Sequence, residues 1–188
     1  LADAEGPISG TEYMTHNNLR GSVCTAIFRK DILHDLRFPK GILHEDEEFT
    51  PQLMLRAENL YFTNNKAYFY RKREGSIMHK RDKRWHIRRL ADAEQVLYRL
   101  KERVDYLPVK ERIAMERRIA QLTMDHIYNV ITMTHDETHL NHVLQRLSRH
   151  GLFPLPDKDY TSKYKWFRRM TNSSFGRKTL IMLLRLKG

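Results

Sequence analysis

Four consecutive acidic side chains stand out in a chain that is otherwise basic: Glu45, Asp46, Glu47 and Glu48. They open residues 44–59, a segment with helical character. Carboxylates in this position suit two chemistries. They can stabilise the positive end of a helix dipole, or one of them can act as a general base that takes a proton from a bound substrate. Residue types alone do not separate the two, so both stay open at this point.

Histidines with the spacing of metal ligands form a second candidate. Three of them stand at i, i+4 and i+7, on one face of a helix: His135, His139 and His142. The letters HDETH resemble the H-E-x-x-H zinc motif, with Asp136 in the place of the glutamate. The same stretch fits a helix start better, because Thr134 and Glu137 have the spacing of a T-x-x-E capping box. The sequence therefore favours a helix N-terminus over a zinc site here.

Length and charge limit the class of protein. The chain has 188 residues, which suits one domain or a domain with an appendage, and its net charge is +11. This excess favours phosphate-bearing ligands, nucleic acid or an anionic membrane surface as partners. Cys24 is the only cysteine, so no intramolecular disulfide can form. We expect no signal peptide, and no run approaches the roughly 18 apolar residues of a membrane span.

The first part of the chain has an α/β pattern. Residues 22–28 are short, apolar and β-branched, which predicts a buried strand, and residues 30–36 predict a helical turn. The helix of residues 44–59 follows, with Pro51 expected in its first turn, where proline is tolerated. Residues 60–78 carry two aromatic-rich runs around an Asn-Asn pair, which predicts a strand–turn–strand unit.

From residue 82 onward the pattern is helical. Apolar residues at 3–4 spacing predict a first helix: Ile87, Leu90, Ala93, Leu97, Leu100 and Val104. Further helices are predicted over 109–133, 135–150, 161–170 and 175–187. The predicted organisation is a region over 1–80 and a helical extension over 81–188. The predicted fold class is α/β with few strands, followed by a mainly α-helical C-terminal region.

An ordered set of motifs covers about residues 20–80. The set begins with an apolar strand, a short helix and an R-F-x-x-G loop. An E-D pair at a helix start follows, and then two further motifs, A-x-x-L/I-x-F and Y-x-Y-R-x-R-x-G-S-I. The matching positions are Arg37-Phe38, Gly41, Glu45-Asp46, Ala57, Tyr68, Tyr70-Arg71, Arg73, Gly75-Ser76 and Ile77. This set resembles the second half of the catalytic domain of family 2 glycosyltransferases. These are inverting enzymes of GT-A fold, here of the kind that builds bacterial surface polysaccharides.

The resemblance implies roles for individual residues. Asp46 would be the general base, and Glu45 would orient its loop or contact the acceptor. The loop facing the departing diphosphate would contribute three residues: Arg71, Arg73 and Ser76. The two arginines could also be an exposed charge pair on an edge strand. His79 would be a metal ligand or a phosphate contact, and the resemblance implies a divalent metal, Mn²⁺ or Mg²⁺, in the parent enzyme.

One part of the family pattern is not in this sequence. Such enzymes bind the nucleotide sugar with an N-terminal half that ends in a D-x-D metal motif, and that half would precede residue 1. The D-x-D letters at Asp157 and Asp159 lie in a proline-flanked loop, which predicts ordinary loop chemistry. We therefore expect the parent protein to be the enzyme, and this chain alone to bind nucleotide poorly and to be inactive.

The predicted function follows from the resemblance. A sugar would pass with inversion from a nucleotide diphosphate sugar, expected to be a uridine one, to a hydroxyl of a surface glycan or a lipid-linked acceptor. The predicted location is cytoplasmic, with peripheral contact at the inner face of the membrane. Residues 175–187 would supply that contact as a basic amphipathic helix, unless they form a core-packed terminal helix.

The alternative is a non-enzymatic basic helical module that binds nucleic acid, an anionic membrane or a partner protein. Cations mixed with aromatics in residues 79–89 and 163–170 favour such a surface. The acid run beside the candidate site argues against nucleic acid as the partner.

Overall fold

The structure, a computed structural model, describes residues 7–66, 68–71 and 82–186. Within these ranges it contains seven α-helices and no β-sheet, so the α/β prediction for the first region is wrong. Two short 3-10 helices, Val23–Thr25 and Lys30–Leu33, lie between the first two α-helices. The α-helices in chain order are α1 Gly10–His16, α2 Glu45–Leu55, α3 Lys83–Val104, α4 Val109–Thr134, α5 Glu137–Arg149, α6 Ser162–Asn172 and α7 Ser174–Arg185.

The strand predicted over residues 22–28 is instead a 3-10 turn with extended flanks. The Ala26 N–H donates to the Val23 carbonyl, and the Thr25 hydroxyl donates to the Ser22 carbonyl, so local turns satisfy the backbone. Ile27 is 94% exposed. β-branched residues favour a strand only where a neighbouring strand packs against them. None does so in the described part of the chain.

The predicted strand–turn–strand unit is also not formed where it can be assessed. Residues 61–66 and 68–71 are irregular, and Tyr61, Phe69 and Tyr70 are exposed. The β pairing that the described residues do show is one antiparallel bridge between Ile8 and Leu60. Residues 72–78 of this prediction lie outside the described residues.

Helix α2 confirms the helix predicted at the acid run, but not the position of its proline. Because the helix begins at Glu45, Pro51 is its seventh residue and lies inside it rather than in the first turn. Proline has no N–H, so the Glu47 carbonyl loses its usual partner four residues on. The Pro51 ring is buried, and packing therefore offsets part of the lost backbone bond.

The helices predicted after residue 82 are confirmed with small shifts at their ends. Gly151 follows α5 with a φ of +66°, which is the left-handed conformation that glycine adopts readily after a helix. On α3 the predicted apolar face holds at Leu97, Leu100 and Val104, which are buried, whereas Ile87 is 60% exposed. The first turns of α3 therefore extend beyond the core.

Helix α4 lies at the centre of the fold and contacts each of the other six α-helices. Its Ile127 and Val130 are fully buried. Met14 of α1 and Met54 of α2 join the same hydrophobic cluster. Side chains from both predicted regions therefore share one core, and the boundary near residue 80 stays a prediction.

A smaller cluster seats the loop before α2. Phe49 of α2 is 2% exposed and stacks on Phe38 with ring centroids 3.9 Å apart. Leu36 and Leu53 complete the buried part of this cluster. The loop that leads into the acid run is thus packed against the helix that the acid run begins.

None of the helices within the described ranges is both long enough and apolar enough to cross a membrane.

Candidate functional site

The acid run occupies the first turn of α2, where the unpaired backbone N–H groups give the helix its positive end. The four carboxylates are nevertheless in different environments. Glu45 is exposed, Asp46 and Glu47 are half-buried, and Glu48 is buried. Their partners separate them further, so the four acids are not equivalent.

Glu47 has a structural role. Its carboxylate accepts a hydrogen bond from Arg118 of α4, which is 2% exposed and also donates to the Leu19 carbonyl at 2.6 Å. Burial raises the pKa of Glu47, and the positive charge of Arg118 opposes that rise. The pair fixes α2 and the Leu19 loop to the central helix.

Glu48 also has a structural role. It is 3% exposed, and its two carboxylate oxygens lie 3.4 Å from Arg99 and 3.8 Å from Arg103, both on α3. A buried carboxylate is tolerated when cations compensate its charge. Two of the four acids therefore attach α2 to its neighbouring helices.

Asp46 differs from both. It forms no ion pair with any described residue, and its Oδ1 accepts one hydrogen bond, from the Glu47 N–H at 2.9 Å. Burial, followed by the negative charges of Glu47 and Glu45, raises the pKa of Asp46 to about 6. Its second oxygen has no described partner and can accept a hydrogen bond from a ligand.

His44 precedes the acid run in an unusual backbone conformation. It is the N-cap of α2 with a φ of 64°, in the left-handed region that non-glycine residues rarely adopt. Burial, and then the charge of Arg89, lower the pKa of His44 to about 4. Its Nε2 lies 3.4 Å from Arg89 Nε, so it accepts the arginine N–H as a neutral imidazole.

Helix α3 holds the loop that carries His44. Arg88 donates to the Gly41 carbonyl at 2.9 Å, and the Leu43 N–H donates to Asp92 at 2.8 Å. Gly41 has a φ of +79°, a value at which a side chain would be strained. His44 was not predicted as a site residue, and its place directly before the acid run is the signal that could have identified it.

The residues predicted for the diphosphate side are not assembled with the acid run in the described part. Arg71 is exposed in an irregular segment, and no described contact joins it to Glu45 or Asp46. Three further predictions lie outside the described residues: Arg73, Ser76 and His79. Their roles stay predictions.

The histidine motif does not form the predicted capping box. Helix α5 begins at Glu137, and its N-cap is Asp136, which accepts from the His139 N–H at 3.1 Å. Thr134 instead donates its hydroxyl to the Val130 carbonyl within α4. His135 is the left-handed C-cap of α4, so the three histidines do not share one helix. The helix start predicted here is confirmed, with Asp136 rather than Thr134 as its N-cap.

The described residues do not fit the divalent metal that the resemblance implies. Among them, no group of three or more His, Cys, Asp or Glu side chains is arranged to hold a metal ion. Asp157 and Asp159 lie in a loop and pair with Arg168 and Lys165, each at 3.3 Å, as expected for ordinary loop chemistry.

The start of α2 thus presents Asp46, a half-buried carboxylate with a raised pKa and no described cationic partner, on a helix held in place by the ion pairs of Glu47 and Glu48. Such a group can accept a proton near neutral pH, provided that a substrate hydroxyl reaches its free oxygen. The chain has no match among protein-family models, among curated proteins or among solved structures.

Proposed function

We propose that this chain carries the general base of an inverting glycosyltransferase, and that Asp46 is that base. The observation that supports the proposal is the difference between Asp46 and its neighbours. Arginines compensate Glu47 and Glu48, whereas Asp46 has no described cationic partner and a pKa raised to about 6. A helix dipole alone does not require this division of roles. The resemblance of residues 20–80 to family 2 glycosyltransferases supplies the reaction type.

The proposed step is a single displacement. The acceptor hydroxyl donates a hydrogen bond to the free oxygen of Asp46. Its oxygen then attacks the anomeric carbon of the donor sugar, a new carbon–oxygen bond forms, and the bond to the nucleotide diphosphate breaks. The proton passes to Asp46, and the diphosphate leaves with the bonding electrons. A carboxylate of pKa about 6 is ionised at neutral pH, yet more basic than an ordinary aspartate.

Glu45 has a supporting role in this proposal. It is exposed at the first position of α2, and its charge contributes to the raised pKa of Asp46. Arg71, with Arg73 and Ser76, would offset the negative charge of the departing diphosphate. The acceptor is proposed to be a glycan or lipid-linked hydroxyl, and the donor a uridine diphosphate sugar.

The test is nucleotide diphosphate release by the longest natural polypeptide that contains this sequence, across a panel of nucleotide sugars with Mn²⁺ present. We expect release by the wild type and its loss in Asp46→Asn. Asp105→Asn is the matched control, because Asp105 is an exposed aspartate at the end of α3. Near wild-type release by Asp46→Asn would disprove the base assignment, and no release with any donor would disprove the reaction type.

A second candidate function, attachment to an anionic membrane, has its own supporting observation on α7. Leu180 and Ile181 pack into the core, whereas three apolar residues of another face are exposed. These stand at i, i+7 and i+11: Phe175, Met182 and Leu186. Lys178 and Arg185 flank them and are exposed. An apolar stripe with flanking cations suits a helix lying on anionic lipid.

Vesicle sedimentation tests this second candidate. We expect binding to vesicles that contain phosphatidylglycerol, and weaker binding to phosphatidylcholine alone. Phe175→Ser with Met182→Ser should reduce binding to anionic vesicles. Ile113→Ser with Val109→Ser is the matched control, since both residues are exposed apolar positions on α4. Equal loss in both double variants would contradict a role for the α7 face.

A further inference from the structure

A cavity of about 990 Å³ opens between α3, α4 and α5. Small-molecule sites in proteins are commonly about 300–1,000 Å³, so this cavity is large enough for one. Asp46 is not among the residues that line it. The cavity therefore raises a question separate from glycosyl transfer.

A closed polar network forms one wall of the cavity. Glu94 is 7% exposed and accepts two hydrogen bonds from Arg146, at 2.7 and 2.9 Å, and one from the Tyr98 hydroxyl. Burial favours a raised pKa for Glu94, but Arg146 most strongly, and then His126 and Tyr98, bring its pKa below the ordinary value. Glu94 and Arg146 thus compensate each other and leave no net charge for a ligand.

His126 lies beside this network with unused hydrogen-bonding capacity. Its side chain is 2% exposed and lines the cavity, and neither ring nitrogen has a hydrogen-bond partner among the described residues. Its Nε2 lies 3.6 Å from Glu94 Oε2, which is longer than a hydrogen bond. Buried polar groups are nearly always satisfied, so this imidazole points to a polar atom bound in the cavity.

The cavity also has cations that the protein does not use. Lys83 and Arg149 line it, are exposed, and form no ion pair within the described ranges. The one further carboxylate of the lining, Asp136, already caps α5. Lys83 and Arg149 outnumber this carboxylate, so the remaining lining charge is positive, which favours an anionic ligand group at the rim.

Apolar and aromatic surface accompanies the cations. Ile87 and Val130 contribute aliphatic lining. The rings of Tyr98 and His150 are stacked with centroids 3.7 Å apart, and both belong to the lining. A ligand that fills the cavity would thus place an apolar or aromatic body against these side chains.

We propose that this cavity binds a small organic anion with an apolar or aromatic body, of the phosphate monoester class. The positive charges of Lys83 and Arg149 attract the anionic group, and His126 forms a hydrogen bond to a polar atom of the ligand. The proposal goes beyond the proposed glycosyl transfer and does not depend on it.

Isothermal titration calorimetry with three probes tests the proposal: 1-naphthyl phosphate, 1-naphthyl glucoside and inorganic phosphate. We expect saturable one-to-one binding of 1-naphthyl phosphate and much weaker binding of the other two. Lys83→Gln with Arg149→Gln should weaken binding of 1-naphthyl phosphate roughly tenfold, since the double change removes two positive charges from the lining. Arg20→Gln with Lys110→Gln is the matched control, because it removes one arginine and one lysine that are exposed and lie outside the cavity.

A second readout follows the buried imidazole. In NMR spectra, the ring signals of His126 should shift on addition of 1-naphthyl phosphate in the wild type, and less in the Lys83→Gln, Arg149→Gln variant. Both variants change exposed side chains, so loss of folding does not obscure the result. Equal binding of the phosphate and the glucoside, equal binding of inorganic phosphate, or equal weakening in the control variant would each overturn the proposal.

The anionic group could belong to a free metabolite or to a membrane lipid. Vesicles that contain phosphatidic acid separate these sources by competition. Displacement of 1-naphthyl phosphate by the vesicles would support the proposed site and would identify a lipid headgroup as its ligand. Retention of 1-naphthyl phosphate in the presence of the vesicles would support the proposed site with a free small molecule as its ligand. An absence of any 1-naphthyl phosphate binding would overturn the proposal in both forms.

Discussion

Arg118 of α4 and Glu47 in the first turn of α2 form an ion pair in which the arginine side chain is only 2% exposed. The same guanidinium donates to the Leu19 carbonyl. One buried side chain therefore connects the central helix, the loop after α1 and the helix that carries Asp46. Predictions about stability and about the site both follow from this arrangement.

Replacement of Arg118 should destabilise the fold. Arg118→Met leaves the Glu47 carboxylate without its cation and the Leu19 carbonyl without its donor, so we expect a loss of about 2–4 kcal/mol in the free energy of unfolding. Urea denaturation measures it. Arg112→Met, a change on the same helix at a residue with no described ion pair, is the control and should cost less than about 1 kcal/mol. A similar loss in both variants would contradict a specific role for the pair.

The stability of the protein should depend on the protonation of Asp46. The pKa of Asp46 is about 6 in the folded state and ordinarily 3.8. Between these values Asp46 binds more protons in the folded state than in the unfolded state, so its contribution to stability falls as pH rises from about 4 to 6. Asp46→Asn should remove this decrease. Urea denaturation at pH 4, 5, 6 and 7 compares Asp46→Asn with the wild type and with the control Asp105→Asn. Parallel pH profiles of Asp46→Asn and wild type would count against the raised pKa.

The same ionisation should govern catalysis. If Asp46 accepts the acceptor proton, kcat/KM for nucleotide diphosphate release should fall tenfold per pH unit below about pH 6. Asp46→Asn should lower the rate roughly 10²–10⁴-fold without a change in fold. Asp105→Asn should retain both rate and profile. A pH-independent rate between pH 5 and 8 would exclude Asp46 as the base.

Gly10 marks a close approach between α1 and α2. A Cβ at this position would lie 1.9 Å from the Met54 carbonyl oxygen, which is backbone and cannot move aside cheaply. Gly10→Ala should therefore lower the free energy of unfolding by roughly 1–3 kcal/mol through overpacking. Thermal or urea denaturation tests it, with the adjacent Thr11→Ala as control. An unchanged stability in Gly10→Ala would mean that α1 can shift away from α2 without loss.

The helical part of the chain was predictable because its helices carry their own signals. Leu97, Leu100 and Val104 repeat at helical spacing, and their side chains are buried on α3. Gly151 ends α5 as expected. Local periodicity is enough in these segments, because a helix forms its backbone hydrogen bonds within itself.

The strands were not predictable in the same way. Ile27 and Tyr61 have side chains typical of strands, yet both are exposed in segments without a ladder. A strand takes its hydrogen bonds from another segment, so its formation depends on a partner that local sequence does not specify. The capping box was mispredicted because of the preceding helix. Helix α4 continues to Thr134 and has His135 as its C-cap, so Asp136 rather than Thr134 is the N-cap of α5.

For the site, the sequence by itself determined that four carboxylates stand together at a helix start, since α2 begins at Glu45 as its residues predict. Only the tertiary structure decided their separate environments. Arginines from α3 and α4 reach Glu47 and Glu48, whereas no described cation reaches Asp46. The acids are adjacent in sequence and chemically similar, so only the residues that packing places beside each one can distinguish them. A carboxylate's pKa depends on burial and on neighbouring charge, and both are set by helices distant in the chain.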